Sequence, residues 1–304
     1  MPVYDGERYI GEAVASVLGS GFRDLELLVL DDGSRDESAV VAARAAAGDT
    51  RLRVVRLPHG GVAAARNAGL REARGELIAN LDADDAMFPE RLGRQVAYLD
   101  AHPACVAVGT RALVVDAAGR PVRVGVRLFS HEEIDGAHME GRGGAIWNPT
   151  AMFRKQAALD VGGYSPHLHS TGEDHDLWLR MAEVGRLVNI PDVLTRYRAH
   201  DANVSLAASD KDRRLAVTLE TLSRTFQRRG IVGRAPAKGS APSSRRGERL
   251  ADAALLRYFQ GDRPGALVRA MVACIVNPSA PATRGALRTI LHAAPPRWHP
   301  PAAV

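Results

Sequence analysis

The chain has 304 residues, of which 46% are apolar, and a formal net charge of +5. This size and composition allow one large domain with an appendage, or two domains, with a substantial core. No run of the roughly 18 apolar residues that a membrane-spanning helix needs is present. The only two cysteines, Cys105 and Cys274, lie far apart in apolar stretches, which favours buried free thiols and argues against a zinc cluster.

The charge is unevenly divided along the chain. Residues 211–304 carry 17 Lys and Arg against 5 Asp and Glu, whereas residues 1–210 carry 23 against 30. A basic C-terminal part favours contact with an anionic surface such as phospholipid headgroups. A solvated basic face would explain the same composition. Nucleic acid is a weaker partner, because the few aromatic residues are not interleaved with the basic ones as a stacking platform requires.

In chain order, short apolar segments alternate with segments of helical periodicity. We expect helices at 9–18, 36–47, 59–73 and 89–99, and strands at 25–30, 52–57 and 77–81. The strand at 77–81 is a continuous apolar run, which is typical of a strand buried on both faces. This alternation predicts parallel βαβ units in an α/β fold. Residues 1–3 leave room for only the tail of a strand ahead of the first helix, so we expect a truncated first strand or a true start upstream.

The second part of the chain contains a predicted hairpin, formed by strands at 106–115 and 121–126. Further strands are expected at 146–153 and 187–198, and helices at 171–184 and 210–229. We expect a catalytic domain over 1–210, a helix packed on it at 211–229, a linker rich in Gly, Pro, Ser and Arg at 230–247, and a basic helical extension at 248–304.

Polar residues follow three of the predicted strands, at the sheet edge where ligands of open α/β sheets bind. Asp31 and Asp32 follow the first, where a carboxylate can accept hydrogen bonds from a nucleobase or a ribose, although Asp-Gly also forms ordinary turns. A glycine-rich helix start follows the second and offers free backbone N–H groups to an anion, with Arg66 within reach of a diphosphate. Here a plain helix start with a salt-bridging arginine is the alternative.

The third cluster, Asp82, Asp84 and Asp85, is compatible with one hard divalent cation that keeps substrate phosphates and water among its ligands. Helix capping is the alternative explanation. Further on, Glu173 and Asp174 lie in the first turn of a predicted helix, where the helix dipole favours acids; a carboxylate held there is also a suitable general base. His200 follows the strand at 187–198, and a lone histidine is more often structural than a metal ligand.

Together these residues resemble glycosyltransferase family 2, inverting nucleotide-sugar enzymes of the GT-A fold, over residues 1 to about 200. Asp5 stands where the family more often has Asn. Eight motifs occur in the order of the family: Pro2–Glu7, Leu30–Asp36, Ala65–Gly69, Asp82–Asp85, Asn148–Arg154, Gly162–Tyr164, Glu173–Arg180 and Tyr197–His200.

The resemblance implies a Rossmann-like mixed, mostly parallel sheet flanked by helices. It implies that Asp174 is the catalytic base and that Glu173 beside it contacts the acceptor or a loop. The other implied roles are nucleotide binding by Tyr4, Asp31, Asp32 and Arg66; Mn²⁺ or Mg²⁺ and diphosphate binding by Asp82, Asp84 and His200; and a donor and acceptor loop with Asp85, Gly143, Gly144 and Trp147.

The expected function is therefore inverting transfer of a sugar from a nucleoside diphosphate donor, UDP in the first instance, to a hydroxyl of a glycan or glycolipid in cell-surface polysaccharide synthesis. We expect a cytoplasmic protein whose basic C-terminal region touches the inner face of the membrane. The alternatives are a non-catalytic sugar-nucleotide binder, or a nucleotidyltransferase, although the glycine- and lysine-rich loop that the latter needs near the N-terminus is missing.

Overall fold

The computed structural model describes residues 1–168, 171–201, 211–232 and 246–292. Strands in this part of the chain are β1 (Pro2–Val3), β2 (Leu27–Asp31), β3 (Leu52–Arg56), β4 (Leu77–Ala79), β5 (Ala86–Met87), β6 (Cys105–Val115), β7 (Pro121–Gly125), β8 (Met152–Arg154) and β9 (Arg186–Arg198). Helices are α1 (Glu7–Leu18), α2 (Ser38–Ala46), α3 (Val62–Glu72), α4 (Arg91–Ala101), α5 (His131–Met139), α6 (Lys155–Asp160), α7 (Glu173–Met181), α8 (Lys211–Arg228), α9 (Arg246–Phe259), α10 (Arg263–Val276) and α11 (Pro281–His292).

The first half of the chain forms a three-stranded parallel sheet in the order β1-β2-β3. All five residues of β2 are buried, which agrees with its continuous apolar sequence. Helix α1 places Ile10, Val14 and Val17 on the face that packs into the core. Strand β1 has only two residues, paired with Leu30 and Asp31, so the expected short first strand is present. The carboxyl ends of β1 and β2 therefore lie side by side.

The second sheet has the order β4-β8-β6-β9-β5, with β7 paired to β6. Its pairs are antiparallel except β6 with β9, which run parallel. All eleven residues of β6 are buried, so this strand is the centre of the sheet. The regular βαβ alternation thus ends at β4, and the chain continues as a mixed α/β fold.

Three details of the sequence prediction were wrong. Strand β4 is three residues long, and Ala79 is exposed rather than buried. Among the described strands β4 pairs only with β8. On its other side, a cavity of about 640 Å³ separates β4 from β2, and residues of both strands line it. The strand predicted at 146–153 begins at Met152, because Asn148–Thr150 form a 3₁₀ turn around Pro149. Helix α2 starts at Ser38, and Asp36 accepts a hydrogen bond from the Ser38 amide without being the N-cap residue itself.

The C-terminal helices α9, α10 and α11 pack against the second sheet. Leu113, Val124 and Val193 of that sheet share one apolar cluster with Ala251 and Leu255 of α9, Ala273 of α10 and Ala282 of α11. Asp252 of α9 also pairs with Arg111, which is fully buried in β6, and with Arg127 at 2.7 Å. None of the described helices is long and apolar enough to cross a membrane. Most of the predicted linker at 230–247 and the end of the chain lie outside the described residues.

Candidate active site

Asp32 connects the carboxyl end of β2 with the start of α3 through hydrogen bonds. Its two carboxylate oxygens accept hydrogen bonds of 2.9 Å from the backbone amides of Gly60 and Gly61. The prediction that these amides are free for an external anion was therefore wrong: the anion that they bind is Asp32 itself. Gly61 has φ +87°, a backbone conformation that glycine adopts without strain. The contact fixes the loop between β3 and α3 against the end of β2.

An aromatic and imidazole surface lies next to Asp32. The ring of Tyr4, a residue that is 41% exposed, lies 4.3 Å from the ring of His59, centroid to centroid. His59 Nδ1 in turn lies 3.0 Å from the Asp32 carboxylate. Asp31 accepts a hydrogen bond of 2.8 Å from the Ser34 amide and is buried. Tyr4, Asp31 and Asp32 are thus neighbours, and His59 is a fourth member that the sequence did not point to.

Arg66 connects Asp82, in the turn after β4, with Glu173 at the acidic start of α7. Its guanidinium donates to Asp82 at 2.9 Å and to Glu173 at 2.6 Å, and the residue is only 7% exposed. It lies in the second turn of α3 and points away from the glycines at the helix start, towards these two carboxylates. Arg66 of α3 therefore joins the turn after β4 to the start of α7.

The acidic start of α7 contains two carboxylates in different surroundings. Burial raises the pKa of Glu173 to about 7, and the neighbouring Asp174 raises it too, while Arg66 acts in the opposite direction. Burial also raises the pKa of Asp174; the charge of Arg66 partly offsets this and that of Asp82 adds to it. Asp174 accepts a hydrogen bond of 2.7 Å from the His175 amide, and no described side chain hydrogen-bonds to it. Glu173 is thus hydrogen-bonded to Arg66, whereas Asp174 has no side-chain hydrogen bond within the described part of the chain.

The turn after β4 brings three acids close together. Burial and then the charge of Asp82 raise the pKa of Asp84. Burial, followed by the charges of Asp84 and Asp82, raises the pKa of Asp85 well above its ordinary value. Asp85 accepts a hydrogen bond of 2.8 Å from the Arg198 amide, but its second oxygen is buried and has no hydrogen-bond partner among the described residues. Negative charge is therefore crowded in this turn.

His200 lies beside this acidic turn, as its position after β9 suggests. Its Nε2 is 3.0 Å from the Asp84 carboxylate, and its ring packs 5.1 Å from that of Tyr9. A cavity of about 550 Å³ next to His200 is lined by the turn between β6 and β7 and by Arg8. The described residues contain no group of three His, Cys, Asp or Glu side chains arranged to hold a metal ion on their own. Asp82, which is paired with Arg66, and Asp84, which is paired with His200, are the carboxylates here that a cation such as Mg²⁺ would use, since it needs one or two carboxylates and takes its other ligands from phosphates and water.

The predicted donor and acceptor loop lies over the second sheet. The ring of Trp147 packs edge-on against Tyr197 at 5.0 Å and directly over Gly125, where an added Cβ would fall 2.5 Å from the ring. Gly143 and Gly144 are exposed, and Gly144 has φ +78°. Tyr197, which Trp147 contacts, precedes by three residues His200, whose ring lies next to Asp84.

Sequence reasoning missed a buried polar group that supports Arg66. Tyr164 lies under the guanidinium, 5.6 Å from ring centre to Cζ, and its hydroxyl contacts Asn80 at 2.7 Å. The Tyr164 backbone exchanges two hydrogen bonds with the side chain of Asn67. The sequence motif containing Gly163 and Tyr164 was a family feature with no assigned role; its glycine, at φ +69°, lets the chain approach Asn67 closely.

Comparison of the sequence with models of known protein families places this chain in one of them. The sequence profile of Glycosyl transferase family 2 matches residues 1–161. The chain belongs to this glycosyltransferase family. The prediction of a family 2 glycosyltransferase is thereby confirmed, and the chain is that of a glycosyltransferase enzyme.

Several relatives of this family 2 chain carry names of glycosyltransferases or polysaccharide synthases. It is 35% identical over 202 residues to the putative glycosyltransferase EpsE of Bacillus subtilis, which covers 65% of this chain and 71% of that protein. It is 32% identical to the amylovoran biosynthesis glycosyltransferase AmsE of Erwinia amylovora, over 57% of this chain and 64% of that one. Chondroitin synthase of Escherichia coli is 28% identical over 74% of this chain, but only 32% of the synthase is matched.

Solved structures of glycosyltransferases have the same fold. S. aureus TarS 1–349, in a complex with UDP-GlcNAc, superposes with a TM-score of 0.57 at 16% identity, covering 95% of this chain and 88% of that one. The mannosyltransferase PcManGT from Pyrobaculum calidifontis, in complex with GDP-Man and Mn²⁺, superposes with a TM-score of 0.52 at 19% identity, covering 93% of this chain and 76% of that one. The predicted GT-A fold is confirmed, including helices at the C-terminal end.

Proposed function

We propose that this family 2 enzyme transfers a sugar from a nucleoside diphosphate donor, UDP-sugar in the first instance, to an acceptor hydroxyl with inversion at the anomeric carbon. The observation that carries the proposal is the bridge made by Arg66. It holds Glu173, which is 107 residues further along the chain, and Asp82 within hydrogen-bond distance of one guanidinium. A candidate base beside Glu173 therefore faces the acidic turn in which a diphosphate would be held.

Asp174 is the better candidate for the base. A base must be able to take a proton from the acceptor hydroxyl, which a carboxylate engaged in a short ion pair does less readily. Glu173 is engaged in this way by Arg66, at 2.6 Å, whereas Asp174 makes no side-chain hydrogen bond among the described residues. General-base catalysis of this kind contributes roughly 10²- to 10⁴-fold to a rate. In this proposal Glu173 and Arg66 position the start of α7 and the acceptor.

The divalent cation would be held by Asp82 and Asp84, with His200 next to them. A bound Mn²⁺ or Mg²⁺ supplies Lewis-acid neutralisation of charge on the departing diphosphate. Burial, and after it the crowding of carboxylates in this turn, raises the pKa of Asp84 and Asp85. The crowding supports a cation here because a positive charge would offset the repulsion between the carboxylates. Arg66 contributes a fixed positive charge on the same side.

The nucleoside would lie at the end of β2. Asp31 and Asp32 provide carboxylates there, and Tyr4 provides an exposed ring next to His59 on which a base can stack. The structural neighbours were solved with UDP-GlcNAc and with GDP-Man, so the related fold accepts either base. The sugar and the acceptor would then lie between the acidic turn, including Asp85, and the loop that carries Gly143, Gly144 and Trp147.

The acceptor is proposed to be a growing cell-surface polysaccharide or a glycolipid. Relatives of this chain are named for amylovoran biosynthesis and for chondroitin and hyaluronan synthesis, which supports a polysaccharide product. We further propose residues 1–210 as the catalytic domain and 211–229 as a helix packed on it; Leu222 and Phe226 of α8 do pack against Leu179 of α7 and Met139 of α5. Residues 248–304 would be an extension that contacts the membrane.

Two variants test the assignment of the base and of the cation ligand. Asp174→Asn should bind UDP with Mn²⁺ as the unmodified enzyme does and lose at least 100-fold in turnover, whereas Asp84→Ala should also weaken the metal-dependent binding of UDP. Binding is measured by isothermal titration, and turnover by UDP release from a panel of UDP-sugars. Asp160→Asn, an exposed acid on α6, is the matched control. Undiminished turnover in Asp174→Asn would exclude this residue as the base.

A further inference from the structure

The outward face of α10 is apolar along two full turns. Five side chains are between 42% and 81% exposed: Val268, Met271, Val272, Ile275 and Val276. Their spacing of i, i+3, i+4, i+7 and i+8 places them on one side of the helix, and we call this surface the α10 stripe. The opposite side consists of three fully buried alanines, Ala266, Ala270 and Ala273. No charged residue interrupts the stripe; Arg263 and Arg269 are the only charged residues of α10.

This distribution is unusual for a helix at the surface of a domain. A surface helix normally turns a polar face to water, and a helix that is apolar all round is normally covered on all sides. Contiguous apolar patches with polar rims mark interaction sites. Helix α10 cannot hide the stripe by rotating, because Ala266 and Ala270 pack closely into a cluster with Ala254 and Tyr258 of α9. Helix α9 is itself held to β6 through the pairing of Asp252 with Arg111.

The charges around the stripe identify the kind of partner. Asp252 of α9 is already engaged by Arg111 and Arg127, and Asp262, the N-cap of α10, is engaged by Arg257. Arg249, Arg269 and Arg284 make no salt bridge in the described part of the chain, although the charge of Arg269 does act on Asp262. Apolar residues accompanied by arginines outside salt bridges are the pattern of a helix that lies in the headgroup region of an anionic bilayer. A second copy docked by the same face would bring these arginines towards one another, which opposes a symmetric dimer.

We propose that the α10 stripe is a docking face for an anionic phospholipid membrane. Helix α10 lies flat on the bilayer with the five side chains of the stripe at the boundary between headgroups and acyl chains and with Arg249, Arg269 and Arg284 at the phosphates. Because α9 and α10 are packed on the second sheet, docking also fixes the catalytic site relative to the surface. The inference rests on the proposed function in one respect: docking brings the catalytic site to an acceptor that is anchored in the same membrane.

Vesicle sedimentation tests the docking face directly. The full chain is mixed with vesicles of phosphatidylcholine alone or of phosphatidylcholine with phosphatidylglycerol. We expect sedimentation with the anionic vesicles, and a loss of at least tenfold in partitioning for the double variant Met271→Glu, Ile275→Glu. Replacing Arg249 and Arg284 with Gln should reduce partitioning roughly fivefold for each arginine with anionic vesicles only. The matched control is Val40→Glu, Val184→Glu, two valines that are comparably exposed on other faces.

The outcomes separate docking from catalysis. Circular dichroism and UDP release from UDP-sugar in vesicle-free solution establish that the variants are folded. Sedimentation of the double variant at the level of the unmodified chain, or failure of the unmodified chain to sediment with anionic vesicles, overturns the proposal. So does light scattering that shows a dimer which the double variant abolishes, since the stripe would then bind a second copy. Vesicle binding without any UDP release would contradict the transferase proposal and leave docking supported.

Discussion

Replacing Arg66 with methionine should weaken the fold in a pH-dependent way. The guanidinium is buried and donates to both Asp82 and Glu173, and methionine keeps much of its volume without its charge. Breaking a buried ion pair by removing one partner costs about 3–5 kcal/mol. Part of this cost arises at Asp82 and part at Glu173, and the two parts can be separated by pH.

The pH-dependent part follows from Glu173. Its pKa in the folded protein is about 7 against an ordinary value of 4.5, so folding favours its protonated form. Each pKa unit corresponds to about 1.4 kcal/mol, so the ionised form is disfavoured by about 3 kcal/mol in the folded state. Because the folded pKa is raised, this loss of stability is absent at low pH and develops as the pH rises from 4.5 to about 7.

Without Arg66, which lowers the pKa of Glu173, the loss continues to develop above pH 7. The difference in unfolding free energy between the unmodified chain and Arg66→Met should therefore be larger, by about 1–3 kcal/mol, at about pH 8.5 than at about pH 5.5. Urea unfolding at both pH values measures it. Adding Glu173→Gln to Arg66→Met should remove the pH-dependent part, while Arg120→Met, which breaks an exposed pair with Asp116, should change stability by less than about 1 kcal/mol. An equal loss at both pH values, with no recovery on adding Glu173→Gln, would refute the reasoning.

Three further predictions concern the nucleotide loop, the tryptophan loop and the C-terminal helices. Asp32→Asn leaves only one accepting oxygen for the amides of Gly60 and Gly61, so it should cost about 1–3 kcal/mol in urea unfolding and weaken UDP binding by titration; unchanged values for both would contradict the role of this contact. Gly125→Ala places a Cβ 2.5 Å from the Trp147 ring and should reduce turnover more than UDP affinity, whereas Gly93→Ala in α4, with no atom within 4 Å of its added Cβ, should leave both unchanged. Equal effects of the two alanines would show that the position of Trp147 does not matter. Asp252→Asn removes the countercharge of the buried Arg111 and should cost about 3–5 kcal/mol, more than the double variant Arg111→Met, Asp252→Leu; the reverse order would mean that Arg111 is not a buried cation in need of a partner.

The sequence predicted well where local pattern and family motif agree. Strand β2 before Asp32 and helix α2 after it lie within two residues of their predicted bounds, and α7 begins two residues after its predicted start and ends three before its predicted end, because apolar periodicity and turn residues are strong there. The proximity of Asp82 to the start of α7 was expected only from the family resemblance, which gave Asp82 and Asp174 roles in one site. The roles of these residues remain proposals.

What the sequence could not predict depends on partners distant in the chain. The exposure of Ala79 follows from the absence of a second described neighbour for β4, and the capture of the Gly60 and Gly61 amides by Asp32 follows from tertiary packing. The sharing of Arg66 by two carboxylates is likewise invisible to periodicity. Helix α5 was missed although Ser130 and Glu133 form a capping box, a local signal that was available in the sequence.

The pairing of Arg111 with Asp252 has a consequence for how this chain is made. Arg111 lies in the central strand of the second sheet, and its countercharge is supplied 141 residues later. A nascent chain folds from its N-terminus as it leaves the ribosome. The guanidinium of Arg111 in β6 therefore lacks a countercharge until α9 has been synthesised. The three-stranded parallel sheet has no such dependence and can form early. Shortened versions that end before α9 would keep the three-stranded parallel sheet with Asp31 and Asp32. Their second sheet would lack the countercharge of Arg111 and the helices that pack against it.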